Sequence, residues 1–332
     1  MGLLSWLRTR SRTALEARER PKGLSLEIRV SKHFLEVDAF GFHGSYRLSK
    51  SRKWAIAWRD SDPAAGVGGH GDAGLGEYVL AELGAGTVAS HGWMARPNNG
   101  SVADNGSFSL ADWHFGSSLS GTFSVFDGNG ISIVTKELSA NILASGVSRS
   151  GKLAFCATAN SPSADGNKIY LFDLDAKTEL FCASPKVGWA DRYEFDENRG
   201  FLIAEVTGVG KFTYDRNGVL IDGAEVETAY LHSSQYDRVI RAAENILKEP
   251  DLPDSRVREV LNVVRRARSL GADANSAWKP NALKVQGLAH EQLGEYLEAA
   301  AVYEKALALN PKIGVKRRME AISRRSSVSG AE

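Results

Sequence analysis

The sequence predicts an all-β domain followed by an all-α domain. Two observations support this prediction. A motif of short alternating strands occurs four times between Leu48 and about Tyr230, and the hydrophobic period changes from two residues to 3.6 at about Leu231. The chain of 332 residues is long enough for two domains. Its composition, 43% hydrophobic and 24% charged, is that of an ordinary soluble globular protein.

The repeated motif is clearest in Val147–Cys182, where a tight polar turn is followed by an alternating strand, a second strand and a hairpin to a third. The same pattern starts at Leu48, Val102, Val147 and Phe195, so that the copies begin 54, 45 and 48 residues apart. A repeat of roughly 40–50 residues built from short strands is typical of β-propeller blades.

Residues 1–22 form a basic amino-terminal segment, with six basic and two acidic side chains. Its leucines lie at helical spacings, which indicates either an amphipathic membrane anchor with Trp6 at the interface, or a helix docked on the protein or a frayed terminus. The start has too short an apolar core for a secretory signal, and no apolar run approaches the ~18 residues of a membrane helix. We therefore expect a cytoplasmic protein.

The predicted β domain covers residues 23–230. It opens with a strand pair around Ile28 and Phe34, and the four copies follow. Period-two alternation places one set of second-strand residues on a common face, namely Trp54, Ile56, Trp58, Phe108, Leu110, Leu153, Phe155, Ala157, Phe201 and Ile203. Sheets with two apolar faces must stack on copies of themselves. These residues resemble blades of the β-propeller superfamily, of the WD-repeat and quinoprotein-like sort, although the usual Trp-Asp ending is missing. The resemblance implies four to five blades, in a closed or an incomplete ring.

No enzyme signature emerges from the β domain, and we predict no catalytic residue, cofactor or metal site. The glycine-rich loop Asp62–Gly76 lacks the Lys and the helix of a phosphate loop. Asp112, Trp113 and His114 are adjacent but have no partner nucleophile. Asp173 and Asp175 are interpreted as turn formers rather than calcium ligands. Cys156 and Cys182 fall in the second and fourth strands of one blade, and we expect both to be buried reduced thiols.

The predicted helical domain covers residues 231–325 and is followed by a disordered tail, 326–332. Apolar stripes run through residues 236–247 and 257–267, and Asn281–Pro311 reads as a helical hairpin that bends after Gly294. We expect Gly287 to face Ala299 across the hairpin. This hairpin resembles a tetratricopeptide repeat, with the signature residues Gly287, Gly294, Tyr296, Ala299, Tyr303, Ala306 and Pro311. Lys312–Arg325 would then be a capping helix.

The resemblance implies a face lined by first helices that binds peptides or proteins. The corresponding positions are Asn281, Lys284, Leu288, Glu291 and Gln292. The alternative is a helical block that only caps the propeller. In the β domain, Trp93, Trp113 and Trp189 are candidate partner contacts if they are exposed, because aromatic residues dominate interface hot spots.

The leading hypothesis is a non-catalytic scaffold that binds protein or peptide partners. One alternative is a hydrolase or lyase with a polar pocket in the propeller channel, and another is a membrane-associated assembly factor anchored by residues 1–22. The formal net charge of +1 argues against bulk nucleic-acid binding. The tail 312–325 is nevertheless basic. It is interpreted as a solvated helix face, or as a contact with nucleic acid or acidic protein.

Overall fold

A computed structural model describes residues 27–60, 75–114 and 119–329. The predicted anchor 1–22, the tail end 330–332 and nearly all of the loop Asp62–Gly76 lie outside these residues. The chain divides into two compact units. The first comprises Met1–Pro185, Phe195–Leu202 and Asp215–Val219, and the second comprises Lys186–Glu194, Ile203–Tyr214 and Leu220–Glu332.

The first sheet has six antiparallel strands in the order β1-β2-β3-β4-β5-β6. Their bounds are β1 Ile28–Val30, β2 Phe34–Val37, β3 Phe42–Leu48, β4 Trp54–Arg59, β5 Gly76–Glu82 and β6 Thr87–Met94. The predicted strand pair around Ile28 and Phe34 is confirmed, but it does not form a separate blade, because β2 pairs with β3 from Phe34 opposite Ser45 to Val37 opposite Phe42.

The second and third sheets each have four antiparallel strands, in the orders β10-β9-β8-β7 and β11-β12-β13-β14. The bounds are β7 Pro97–Val102, β8 Phe108–Asp112, β9 Gly121–Phe126, β10 Ser132–Leu138, β11 Ile142–Val147, β12 Leu153–Thr158, β13 Ile169–Asp173 and β14 Thr178–Ala183. The fourth sheet has the order β15-β16-β17, with β15 Arg192–Asp196, β16 Phe201–Val206 and β17 Gly210–Tyr214. The predicted repeat of short strands, each followed by a turn to the next, is thus confirmed.

Successive sheets pack face to face. Ile56 of β4 and Phe108 of β8 are both fully buried in one cluster, and Phe123 of β9 lies 5.7 Å from the ring of Phe172 in the next sheet. Between the third and fourth sheets, the rings of Phe155 and Phe195 are 5.7 Å apart. The fold is therefore propeller-like, because each sheet buries its faces against its neighbours in chain order.

Two details of the predicted packing are wrong. On β16, Phe201 and Ile203 are only partly buried, whereas the alternate residues Leu202, Ala204 and Val206 are buried. Both faces of that strand are apolar, so the period alone did not fix which face is covered. Cys156 is buried as expected, but Cys182 is exposed, because it lies on the outermost strand β14 with Tyr170 of β13 between the two cysteines.

The first turns of the four copies are tied to one another by a row of hydrogen bonds. Asp104 in the β7–β8 turn accepts the Ser51 backbone N–H (2.7 Å) from the sheet before it and the Arg149 Nε–H (2.7 Å) from the sheet after it. Glu197 in the β15–β16 turn accepts the Ser150 N–H (3.1 Å) in the same way. Asp104 and Glu197 occupy equivalent positions in their copies, so the sequence repeat is also a repeat of contacts.

The helical part begins earlier than the change of period indicates. Its helices are α1 Val226–Leu231, α2 Tyr236–Ile246, α3 Asp254–Ser269, α4 Trp278–Gln292, α5 Tyr296–Leu309 and α6 Lys316–Ser329. The predicted stripes form one core in which residues of α2, α3 and α4 are buried, with Val239, Val260 and Val285 all at 0% exposure. The first helical hairpin, α2 with α3, therefore packs directly against α4 of the second.

The α4–α5 hairpin is held by a close approach at Gly287. A Cβ atom added there would lie 2.4 Å from the buried ring of Tyr303. The close approach was predicted, but its partner is Tyr303 rather than Ala299. Gly294 ends the first helix of this hairpin with φ of 72°, a conformation that glycine adopts without strain. Val315, just before α6, and Ile322, in the middle of α6, extend the core of the hairpin.

Candidate partner-binding surface

The five residues predicted from the repeat lie on one side of α4. From Asn281 through Lys284 and Leu288 to Glu291 the spacing is three to four residues, and Gln292 is adjacent to Glu291, so all five lie on one side of the helix. We call the surface that they form with the adjoining parts of α2 and α6 the first-helix face. All of these residues lie in the second compact unit.

Two polar contacts join α4 to α2 across the first-helix face. The Lys284 ammonium lies 2.7 Å from a carboxylate oxygen of Glu244. At the other end of α4, the Gln292 side chain donates a 2.7 Å hydrogen bond to the Leu247 carbonyl, just beyond α2. These contacts fix the spacing of the two helices, and they leave further N–H donors of Lys284 and Gln292 for a ligand.

Glu291 joins α4 to both α5 and α6. It accepts a 2.7 Å hydrogen bond from the Tyr303 hydroxyl and lies 3.1 Å from the Arg318 guanidinium. Burial and the neighbouring Glu291 carboxylate raise the pKa of Tyr303, so its hydroxyl stays a donor. The pairs Glu244–Lys284 and Glu291–Arg318 have the same arrangement. In each, an acidic residue near the end of one helix contacts a cation on a neighbouring helix, α2 to α4 in the first pair and α4 to α6 in the second.

The middle of the first-helix face is less polar. Leu288 is half-buried and packs against two apolar clusters, one on each side of α4. Beside the start of α4, the exposed Arg241 guanidinium lies 5.0 Å from the centre of the Trp278 ring. Neither Arg241 nor Trp278 was predicted. They are 37 residues apart in the sequence, and no local pattern pairs them.

Trp189 is the most exposed of the three candidate tryptophans, at 53%. The segment that carries it is firmly held. The Lys186 N–H donates to the Tyr214 hydroxyl (3.0 Å), and the Tyr230 hydroxyl donates to the Val187 carbonyl (2.6 Å). On the other side of Trp189, the Asp191 carboxylate accepts the Thr207 N–H (2.8 Å). An exposed indole on a fixed segment loses little conformational entropy when it binds.

Trp93 and Trp113 are only half-buried, and each rests on neighbouring groups. The Trp93 ring lies 4.6 Å from the His91 ring. Trp113 packs beside the core between the second and third sheets, and its indole N–H is buried without a hydrogen-bond partner among the described residues. Both therefore offer less free aromatic surface than Trp189.

Asp112 and Asp173, which were considered for catalytic and calcium sites, both accept hydrogen bonds from the backbone. Asp112 accepts the backbone N–H groups of Ala95 (3.0 Å), Arg96 (2.8 Å) and His114 (3.0 Å), which holds the connection between the first two sheets. Asp173 accepts the Ala176 N–H (3.0 Å), as expected of a turn former.

Sequence reasoning missed one buried ionic cluster. Glu77 is 8% exposed and lies between His91 (2.5 Å) and the Arg59 Nε (2.7 Å). Burial raises the pKa of Glu77, but the hydrogen bonds from His91 and Arg59 outweigh it and hold that pKa below its usual value. The three residues sit on three adjacent strands, so no short motif could have revealed them.

A surface groove of about 470 Å³ runs along α3 from Ser255 to Arg266. The cations that line it already have partners. Arg258 pairs with Glu295 at 3.0 Å, and Arg266 donates to the Leu231 carbonyl. The groove therefore offers no preformed cluster of free charges.

Comparison with known proteins identifies the helical hairpin. The tetratricopeptide repeat family model matches residues 280–313, which cover most of α4, all of α5 and the turn that follows. No curated protein sequence matches the chain.

Three solved structures align with part of the chain. A chain of the mitotic checkpoint complex has a TM-score of 0.35 and 10% identity, and the alignment covers 57% of this chain and 60% of that one. Hydrazine synthase of Kuenenia stuttgartiensis has a TM-score of 0.35 and 14% identity, covering 53% and 47%. A eukaryotic initiation factor has a TM-score of 0.30 and 11% identity, covering 59% and 61%. The chain thus spans about half to three fifths of the length of these solved chains, and similarities this weak carry no inference about function.

Among residues 27–60, 75–114 and 119–329, no helix combines the length and apolar character that crossing a bilayer requires. The same part of the chain contains no group of three or more His, Cys, Asp or Glu side chains placed to hold a metal ion. The predicted membrane contact through residues 1–22 lies outside the described part of the chain.

Proposed function

We propose that the protein is a non-catalytic scaffold that binds a protein partner on the first-helix face. The observation that carries the proposal is the tetratricopeptide hairpin at residues 280–313, packed between α2 and α6 so that Asn281, Lys284, Leu288, Glu291 and Gln292 lie on one side. A segment of a partner laid across α4 would contact Leu288 in the middle and polar groups on either side. A cytoplasmic location is part of the same proposal.

Trp189 provides a second contact in the proposal. Its half-exposed indole stands on a segment fixed by Tyr214, Tyr230 and Asp191. Aromatic side chains of this kind anchor interfaces, because they bury a large area with few rotatable bonds. Trp93 and Trp113 remain weaker candidates because both are half-buried.

Site-specific photo-crosslinking in the full chain tests the first-helix face. A photoreactive phenylalanine analogue at Gln292, which is exposed, is expected to capture a discrete partner from a native lysate. The same analogue at Arg265 is the matched control, because Arg265 is equally exposed but lies on α3. Adding an excess of the same protein without the photoreactive analogue should abolish the Gln292 adduct, because it competes for the partner.

Two results would contradict the proposal. One is an identical set of adducts from Gln292 and Arg265. The other is a Gln292 adduct that persists unchanged when Asn281→Arg places a long charged side chain on the same face of α4. The thermal midpoint of each variant should be measured alongside, so that a loss of adduct is not confused with unfolding.

A further inference from the structure

One exposed cation of the β sheets has a backbone conformation that residues with side chains rarely adopt. Arg52, in the β3–β4 turn, has φ of 59°. The equivalent residues of the second and third copies are glycines, Gly106 with φ of 88° and Gly151 with φ of 80°. In all three turns the N–H of this residue donates to the carbonyl three residues earlier, at 2.9, 3.2 and 3.0 Å. The turn itself would therefore be more stable with glycine at position 52.

A second cation with positive φ shows that backbone strain alone does not mark a site. Lys177, in the β13–β14 turn, has φ of 55°, and the corresponding turns of the other copies have Gly86, Gly130 and Gly218. The exposed Asp175 lies two residues before Lys177 in the same turn. That turn therefore supplies its own counter-charge.

The charge around Arg52 is not balanced in this way. Lys50 and Arg52 are both exposed, and neither forms an ion pair with a carboxylate within residues 27–60, 75–114 and 119–329. Lys53 is the third cation of the same turn, and its ammonium lies 3.2 Å from a carboxylate oxygen of Glu82. The β3–β4 turn thus keeps two cations without a counter-charge.

The β11–β12 turn adds two more exposed cations. Asp104 accepts both the Ser51 N–H and the Arg149 Nε–H at 2.7 Å, so the turn that carries Arg149 lies beside the turn that carries Arg52. Lys152 follows in the β11–β12 turn and is also exposed, with no ion pair to the described carboxylates. We call Lys50, Arg52, Arg149 and Lys152 the Arg52 surface.

The acids beside the Arg52 surface are less exposed than its cations and bind the turns themselves. The Asp104 side chain is 23% exposed, against 66% for its partner Arg149. Glu197 is half-buried, and both of its carboxylate oxygens lie 3.1 Å from the Ser150 backbone nitrogen. These two acids therefore connect the copies, whereas the cations extend into solvent.

We propose that the Arg52 surface binds an acidic segment of a protein partner. Carboxylates accept charge-assisted hydrogen bonds from Arg and Lys side chains, and complementary charge steers association and selects partners. The strained conformation at position 52 keeps a cation on this surface that glycine, the residue of the next two copies, could not supply. All four cations lie in the first compact unit, so the proposal does not depend on the first-helix face of the second.

An acidic protein segment fits this surface better than nucleic acid. Single strands are usually held by stacking on aromatic side chains, and the turn segments 49–53, 103–107 and 148–152 contain no aromatic residue. Duplex binding needs an extended basic field, whereas Asp104 and Glu197 interrupt the cations here and the whole chain has a formal net charge of only +1.

Fluorescence anisotropy with the full chain tests the proposal. The probe is a labelled decapeptide rich in Glu and Asp, and its control replaces every acid by Gln or Asn. We expect Arg52→Gly to bind the acidic peptide about fivefold more weakly, and Arg52→Lys, which keeps the charge, to bind within twofold of the wild type. The matched control is Lys177→Gly, which also removes one cation from a positive-φ position and should change binding less than twofold.

Thermal unfolding separates binding from folding. Because glycine relieves the positive φ, Arg52→Gly and Lys177→Gly should each raise the unfolding midpoint, by about 2–4 °C. A fall in the midpoint of Arg52→Gly would overturn the proposal, since the side chain would then stabilise the turn.

The binding data can overturn the proposal in three further ways. The first is equal binding of the acidic and neutral peptides by the wild type, or no binding of either. The second is an equal loss of binding in Arg52→Gly and Lys177→Gly. The third is tighter binding of a 20-nucleotide single-stranded DNA than of the acidic peptide, which would assign the surface to nucleic acid.

Discussion

Asp104→Asn should weaken the β sheets in a pH-dependent way. Hydrogen bonds from Arg149 and from the Ser51 backbone lower the pKa of Asp104 to about 2 from an ordinary 3.8. A difference of that size corresponds to about 2.4 kcal/mol of folding free energy at neutral pH. The Asp104 side chain is 23% exposed and that of Arg149 is 66% exposed, so solvent screening reduces the effect. We expect a loss of about 1–1.5 kcal/mol.

The sign of the pH dependence follows from the lowered pKa. A carboxylate whose pKa is lower in the folded state stabilises the protein above its unfolded pKa of about 4, and that contribution disappears as the pH falls toward 2. Urea unfolding, followed by fluorescence at pH 7, 4 and 2.5, should therefore show wild type and Asp104→Asn converging at low pH.

Asp196→Asn is the matched control. Its ion pair with Arg199 has the same Nε–Oδ2 distance of 2.7 Å, but it joins residues three apart in one turn and bridges no sheets. Its effect on the urea midpoint should be much smaller. An equal loss of stability in both variants would refute the proposed contribution of the hydrogen bonds between the turns. A loss of stability for Asp104→Asn that is the same at every pH would also refute it.

Three further predictions concern packing and reactivity. Gly287→Ala should lower the free energy of unfolding by about 1–2 kcal/mol, because overpacking against Tyr303 exceeds the gain in helix propensity, and adding Tyr303→Leu should recover part of the loss in urea unfolding. Tyr303→Phe should cost about 1 kcal/mol by thermal unfolding, because Glu291 loses a hydrogen bond, whereas Tyr46→Phe, whose hydroxyl bonds an exposed carbonyl, should cost less. Cys182 should react with a thiol reagent in the native protein, while Cys156, whose pKa is raised by burial, should react only after unfolding; equal native rates would contradict this.

The repeat and the helical hairpin were readable from the sequence because both are local. Period-two alternation placed Ile56 and Phe108 in the β core, and the glycine at position 287 marked a close approach of helices. Asp127 and Asp215 precede Asn-Gly pairs in the sequence, and each accepts two backbone N–H groups of its own turn.

The contacts that cross between elements were not readable in this way. Glu244 and Lys284 are 40 residues apart, and Glu291 and Arg318 are 27 apart, so their pairing depends on how the helices pack. Strand order decided the exposure of Cys182, which sits on an outermost strand that the alternation alone does not identify. The short helix α1 was missed because its six residues are too few to show a period.

The candidate site residues show the same difference between local signals, which the sequence reveals, and contacts between distant elements, which it does not. The five positions on α4 came from a local signature, and the structure places them on one face. Their roles as partner contacts, and those of Trp93, Trp113 and Trp189, remain predictions. Arg241 with Trp278, and Glu77 with Arg59 and His91, could only be found in three dimensions.

The affinity of the photo-crosslinked partner for Leu288→Ala tests the scaffold account most directly. Leu297→Ala is the matched control, since Leu297 is 77% exposed on α5 and away from the first-helix face. By isothermal titration calorimetry, we expect Leu288→Ala to raise the dissociation constant at least tenfold, and Leu297→Ala to leave it within twofold. Equal dissociation constants for the two folded variants would contradict binding on the first-helix face.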